Sequence, residues 1–259
     1  MKTIALLTDF GQSDNFVGVM KGVISSLCPQ SLCLDITHAV PSWNIRAAAF
    51  LLWKSYSFFP HQTVFLVVVD PTVGSRRKIL IVKTRHYHFV GPDNGVLSWA
   101  AEEDGIVSLV SASNSKYFLP QVSATFQGRD IFAPLAAHIA CGVALSRLGR
   151  AEKKMVSLEF PRPQISSSRI IAEVIYIDKF GNAILNIKNE DFASFQKLYL
   201  KTKKGLVGLE KKTFYHQAKK GRFFLLEGSF GFLEIALKED SAASYLKLSV
   251  GMKVEIILK

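Results

Sequence analysis

The stretch "FLVVVDPTVGSRRKIL", Phe65 to Leu80, runs an apolar segment into an aspartate, breaks at Pro71 and Gly74, and sets two arginines before a second apolar segment. A near-continuous Val/Leu run is the mark of a buried parallel strand, and ligands in open α/β sheets gather beyond the carboxyl ends of such strands. Asp70 therefore stands where a carboxylate can orient a nucleophile, with Arg77 seven residues on across the turn. A surface turn whose aspartate is neutralised by the arginine is the other reading of the same residues. The first apolar run has the same form: "TIALLTDFGQSDN" ends in Asp9, with Gly11 for a tight turn and Asp14 ahead of a helix. Asp14 reads first as a cap, because a carboxylate favours the helix N-terminus. Asp9 is either a turn former or a two-oxygen acceptor for the hydroxyls of a ribose. "PDNG", around Asn94, is a turn signal, and "IDKFGN", with Asp178 and Asn182, a β-turn.

The elements that must hold these residues follow from the apolar pattern. Up to about residue 150, "TIALLTDF", "SLCLDITH", "TVFLVVVD" and "KILIVKT" read as strands. "NFVGVMKGVISSLCP", "SWNIRAAAFLLWKSYSFF", "VLSWAAEE" and "RDIFAPLAAHIACGV" read as helices. Strands alternating with helices predict an α/β fold with a βαβ-type, largely parallel sheet. After a stretch rich in proline and serine come "IIAEVIYID", "AILNI", "KLYLKT", "RFFLLEG", "FLEIAL" and "KVEIIL". Short, regularly spaced strands of this kind predict a small β-barrel or sandwich. The expected division is an α/β domain over 1–155, a linker over 156–169 and a smaller β domain over 170–259.

With 259 residues and 49% hydrophobic content the chain can build a core in each part. Three cysteines, Cys28, Cys33 and Cys141, show no CxxC or Cys/His spacing, so reduced, buried thiols and no zinc site are expected. The N-terminus reads as a β-strand, not a cleavable signal, and no apolar run reaches membrane-spanning length, so a cytoplasmic protein is expected. The net charge is +11; residues 151–259 carry 19 basic and 12 acidic side chains, and the first 150 carry 13 and 9. The excess sits in short pieces, "KTKKG", "EKKT" and "AKKGR", beside glycines and without interleaved aromatics. They read as solvated turns, so no nucleic-acid partner is expected.

Taken in order, "TDFGQSDNFVGVMKG", "DITH", "VVVDPTVGSRR", "GPDNG", "TFQGRDIFAP", "IDKFGN" and "SFGFLEIA" resemble the S-adenosylmethionine (SAM) hydroxide adenosyltransferase family, relatives of fluorinase and chlorinase. The resemblance spans nearly the whole chain. It implies an α/β N-terminal domain and a β-barrel C-terminal domain. It also implies a homotrimer that binds SAM between the N-terminal domain of one subunit and the C-terminal domain of the next. Asp9 matches the carboxylate on the ribose hydroxyls and Trp43 an aromatic lining the nucleoside pocket. Asp14, Asp178 and Asn182 match positions near the methionine end, Ser229 a hydroxyl for the methionine carboxylate, and the backbone at Ala236 the reader of the adenine edge. Asn94 is assigned to the site as well.

The resemblance implies hydrolysis of SAM to adenosine and methionine, with no metal and no separate cofactor. Water attacks ribose C5′ and a neutral thioether leaves the sulfonium, so the protein chiefly aims and desolvates a water. Asp70 and Arg77 match two members of the family's Asp/Arg/His set; a carboxylate there disfavours an anionic halide, and the halogenases carry tyrosine at the position of Asp70. The third member is Gln127, where the family has histidine, and an amide does not titrate near neutral pH. Thr72 replaces a glycine, Asn44 an aspartate, and His138, about three helical turns from Gln127, reads as a packed helix residue. The alternative these departures raise is a slow or non-catalytic module binding SAM or adenosine.

Overall fold

The computed structural model describes residues 2–191, 198–203 and 205–258, so Met1, Lys197, Lys204 and Lys259 of the segments read above lie outside it. The chain divides into two compact units, Met1–Leu158 and Glu159–Lys259. In the first, β1 (Thr3–Thr8), α1 (Phe16–Leu27), β2 (Leu32–Thr37), α2 (Ile45–Trp53) and β3 (Val64–Val68) form two consecutive β-α-β steps. Then come β4 (Ile79–Thr84), β5 (His88–Pro92), α3 (Ser98–Asp104), β6 (Ile106–Ala112), α4 (Ala133–Ala140), α5 (Leu145–Leu148) and β7 (Gly149–Glu152). The seven strands lie in the order β2-β1-β3-β5-β4-β6-β7. β2, β1, β3 and β5 run parallel, whereas β4, β6 and β7 add antiparallel pairings. The expected parallel sheet is thus the half that ends in Asp9 and Asp70.

β1 and β3 sit at the centre of that half, which is why their sequences are apolar on both faces. Ile4, Leu6, Val64, Leu66 and Val68 join Met20 and Ile24 of α1 and Leu135 and Ala136 of α4 in one core. Phe65 faces the other way, stacked on Phe89 at 5.0 Å, with Phe59 and Tyr87 edge-on around it. Each fully buried side chain of this size contributes roughly 1.5–3 kcal/mol. α1 carries a correction: its N-cap is Asn15, no side chain caps it, and Asp14 is exposed, so the cap read at Asp14 is not made. The cysteines carry another, because Cys28 at the end of α1 and Cys141 at the end of α4 are joined in a disulfide, and only Cys33 is free. Cys28 is buried and Cys141 exposed; a 113-residue separation leaves no local spacing to read.

The second unit is β8 (Gln164–Ile165), β9 (Arg169–Ile177), β10 (Ala183–Lys188), β11 (Leu198–Thr202), β12 (Gly205–Lys211), β13 (Phe223–Glu227), β14 (Phe232–Leu237), α6 (Ala242–Leu246) and β15 (Lys253–Leu258). β10-β14-β13-β12-β11-β15-β9 close through a β9–β10 pairing into a seven-stranded barrel, with β8 laid on β9. Alternate residues such as Val254, Ile256 and Leu258 fill it. Six of the seven strands follow the sequence reading. The seventh, β12, falls where glycines and the start of "EKKT" read as turn, and it pairs parallel with β13. Among the described residues no helix is long and apolar enough to cross a membrane.

Candidate active site

Asp9 follows β1 and Asp70 follows β3, two adjacent parallel strands, so both carboxylates stand at one carboxyl edge of the sheet. A cavity of about 300 Å³ opens there, lined by Asp9, Phe10, Trp43, Asp70, Phe126 and Gln127 among others. That volume is at the lower end of the range for small-molecule sites. Arg77 Nε donates to Asp70 Oδ2 at 2.7 Å, and Arg77 Nη2 donates both to that oxygen and to Gln127 Oε1. Thr72 donates to the other oxygen, Asp70 Oδ1, from its backbone N–H at 3.2 Å and its hydroxyl at 3.1 Å. The Asp70 and Arg77 side chains are 4% and 8% exposed, so this pair is held out of water, not spread over the surface. Both departures at Thr72 and Gln127 are therefore built into one hydrogen-bonded chain.

Gln127 precedes a π-helical turn, Gly128–Phe132, that leads into α4. Asp130, fully buried, fixes that turn: it accepts Ser123 N–H at 2.8 Å and Arg129 Nε at 2.6 Å, and its own carbonyl accepts Leu119 N–H. Burial pushes its carboxyl up, but Arg129 and the Ser123 amide together hold it below the ordinary value. His138, as expected, is a helix residue, edge-on to Tyr117 at 5.0 Å, its imidazole pushed down by burial.

At the other end of the cavity, Asp9 Oδ2 accepts the backbone N–H of Trp43 at 2.8 Å. Trp43 has φ +64° and is 73% exposed. A left-handed tryptophan costs on the order of 1 kcal/mol or more, which one hydrogen bond to a carboxylate can offset. Asn44 then caps α2 by accepting Ala47 N–H at 2.9 Å, so its amide serves the helix. Behind Asp9 lies a relay, buried at Thr8 and His38 and open to solvent at Asp35, that the sequence reading did not single out, although "DITH" was quoted. Thr8 Oγ1 accepts Phe10 N–H and lies 2.8 Å from His38 Nδ1, His38 Nε2 lies 3.0 Å from Asp35, and Lys21 pairs with Asp35 at 2.7 Å. The His38 carbonyl accepts Gly11 N–H. Both sides of Asp9 are thereby fixed. Burial raises the Asp35 carboxyl, but Lys21 and His38 outweigh it and leave it below its usual range.

Asn94 does not line this cavity. Its amide donates to Val69 O at 2.9 Å and accepts Val96 N–H at 3.1 Å, which ties the turn after β5 to the chain just before Asp70.

The barrel brings together Asp178 and Asn182. Asp178 accepts the N–H groups of Phe180 and Asn182, and Asn182 Nδ2 donates to Asp178 Oδ2 at 2.9 Å, so the β-turn of "IDKFGN" is present. Asn182 Nδ2 also reaches Tyr215 OH at 3.1 Å, and that hydroxyl donates to Glu234 Oε2 at 2.8 Å. Burial, with Asp178 nearby, pushes the Glu234 carboxyl up, and burial with Glu234 pushes the Tyr215 phenol up. Tyr215 and Glu234 carried no signal of spacing. Ser229 is exposed in the β13–β14 turn, and Ala236 is fully buried on β14 opposite Phe224. Among the described residues no group of three or more His, Cys, Asp or Glu side chains is placed to hold a metal ion.

An α/β unit with two carboxylates beyond the ends of adjacent parallel strands and a buried guanidinium beside one of them, followed by a closed barrel, defines a two-unit protein with a cavity at its sheet edge. Residues 4–149 match the SAM hydroxide adenosyltransferase N-terminal domain and residues 172–255 its C-terminal domain. The chain belongs to the SAM hydroxide adenosyltransferase family. It is 33% identical to a (R)-S-adenosyl-L-methionine hydrolase of Methanocaldococcus jannaschii, over 98% of this chain and 95% of that protein. A fluorinase of Nocardia brasiliensis is 26% identical over 98% of this chain and 96% of its own length. A crystal structure of an uncharacterized conserved protein from Thermotoga maritima superposes with a TM-score of 0.91 at 36% identity, covering 98% of this chain and 99% of that one.

Proposed function

We propose that the protein hydrolyses SAM to adenosine and L-methionine. Water attacks ribose C5′: the C5′–O bond forms, the C5′–S bond breaks, sulfur keeps the electron pair, and the water gives up one proton. The observation that carries this reading is the Asp70–Arg77–Gln127 chain on the wall of a cavity that also holds Asp9. In this reading Arg77 and Gln127 fix the geometry around Asp70, and Asp70 orients the water. Asp9 accepts the ribose hydroxyls, and Trp43 covers the nucleoside. A sulfonium already leaves as a neutral thioether, so holding water and carbon in line supplies most of what the step needs.

Asp14, Asp178, Asn182 and Ser229 take the methionine end, and the backbone at Ala236 takes the adenine edge. Asn94 then serves through Val69, not through the ligand. We read the active species as a homotrimer in which neighbouring subunits share each substrate. The test is to incubate the purified protein with SAM and follow adenosine and methionine by chromatography. Equal amounts of both support the reading. Binding of adenosine with neither product formed overturns it in favour of a binding module.

A further inference from the structure

We infer that the Thr72 hydroxyl restrains the reaction by occupying acceptor capacity on Asp70 that the attacking water needs. The inference rests on the hydrolase reading above. A carboxylate offers about four lone-pair sites. On Asp70 four donors already use them: Arg77 Nε and Nη2 on Oδ2, and the Thr72 N–H and hydroxyl on Oδ1. A water can be oriented by this carboxylate only if one of the four yields.

The four are not equally able to yield. Both Arg77 contacts are charge-assisted, and Arg77 Nη2 is held by Gln127 Oε1 as well. The Thr72 amide is fixed by its turn, in which Val73 N–H reaches the Asp70 carbonyl and Ser75 N–H the Thr72 carbonyl. The hydroxyl alone can swing away by rotation about χ1. It is therefore the group the water displaces, and each turnover begins by breaking its bond to Asp70. Thr72 is exposed, so removing its hydroxyl leaves the core untouched.

The experiment compares the wild-type protein with Thr72→Val, Thr72→Ala and Thr72→Ser. Single-turnover release of adenosine from SAM is measured, alongside the dissociation constant of adenosine by calorimetry. Valine keeps the branched shape and lacks the hydroxyl, alanine removes both, and serine keeps the hydroxyl. Valine and alanine should each raise the single-turnover rate roughly three- to tenfold, the range of one hydrogen bond. Serine should match the wild type, and adenosine affinity should stay within about twofold throughout. A wild type that turns over with valine and alanine variants no faster, or slower, overturns the inference and leaves the hydrolase reading standing. A wild type that forms no product overturns both.

Discussion

Asp9 and Asp70 lie just beyond the carboxyl ends of neighbouring strands, yet the groups around them assign different tasks. Asp70 is enclosed by Thr72 and Arg77, whereas Asp9 holds the Trp43 amide beside the open cavity. Asp9→Ala should therefore weaken adenosine binding by about 1.5–3 kcal/mol, the worth of hydrogen bonds to a charged group. Asp70→Asn should leave that affinity near the wild-type value and lower the single-turnover rate instead. Calorimetry and single-turnover kinetics on both variants separate the two roles, and the opposite pattern would reverse the assignment. Asparagine is the informative replacement, because removing Arg77 would leave a buried charge unpaired at about 3–5 kcal/mol and confuse stability with rate. Gln127 offers Arg77 only an acceptor oxygen, a task that a neutral imidazole nitrogen performs equally. Gln127→His should then change the single-turnover rate little from about pH 7.5 to 9, where the imidazole is neutral. A tenfold gain, about 1.4 kcal/mol of barrier, with a new ionisation near 6.5 would show that the third position must carry a proton.

At the scale of elements, what was legible depended on whether burial and sequence pattern agree. β1 and β3 are buried on both faces, so their apolar runs and the aspartates ending them could be read directly. β5, "HFVGP", could not: it begins with histidine and ends at Gly91 and Pro92, which signal a turn, yet tertiary pairing with β3 and β4 makes it a strand. The relay from Lys21 through Asp35 and His38 to Thr8 spans α1, β2 and the end of β1, and no spacing along one element reports it. Glu234 is brought to Asn182 by the pairing of β14 with β10, and Tyr215 reaches both from the β12–β13 connection. The misplaced histidine of β5 has a measurable effect. His88 has a buried Nδ1 with no hydrogen-bond partner among the described residues, and burial, with Lys2 and Lys83 nearby, lowers its pKa to about 4. Above the unfolded value of about 6.5 both states are neutral. As pH falls from there toward 4, the unfolded chain takes up the proton first, and the folded state loses stability. Chemical denaturation at pH 7 and pH 5 should show this loss, and His88→Leu should shrink it by about 1 kcal/mol after allowance for partial exposure. An unchanged difference between the two pH values would exclude His88 as the cause.

For the whole molecule, several of the basic side chains of the second half are paired locally, although the excess itself is not. Lys201 and Arg169 meet Glu255, Lys211 meets Glu227, and Lys212 meets Glu210. Such exposed pairs contribute little to stability, whereas the Cys28–Cys141 crosslink constrains a long stretch of the unfolded chain. Reduction, or Cys141→Ser, should therefore lower the melting temperature on the order of 5–10 °C, as expected for a loss of about 2–4 kcal/mol. Adenosine affinity should not change, since neither cysteine lines the cavity. Equal calorimetric melting temperatures with and without reductant would show that the crosslink adds nothing. The central claim concerns which bond the water makes. It is tested most directly by a reaction with SAM in water enriched in the heavy oxygen isotope, with both products read by mass spectrometry. The account predicts adenosine carrying the label at its 5′ oxygen, with an equal amount of unlabelled methionine. Unlabelled adenosine, or none at all from a protein that binds it, would contradict attack of water at C5′.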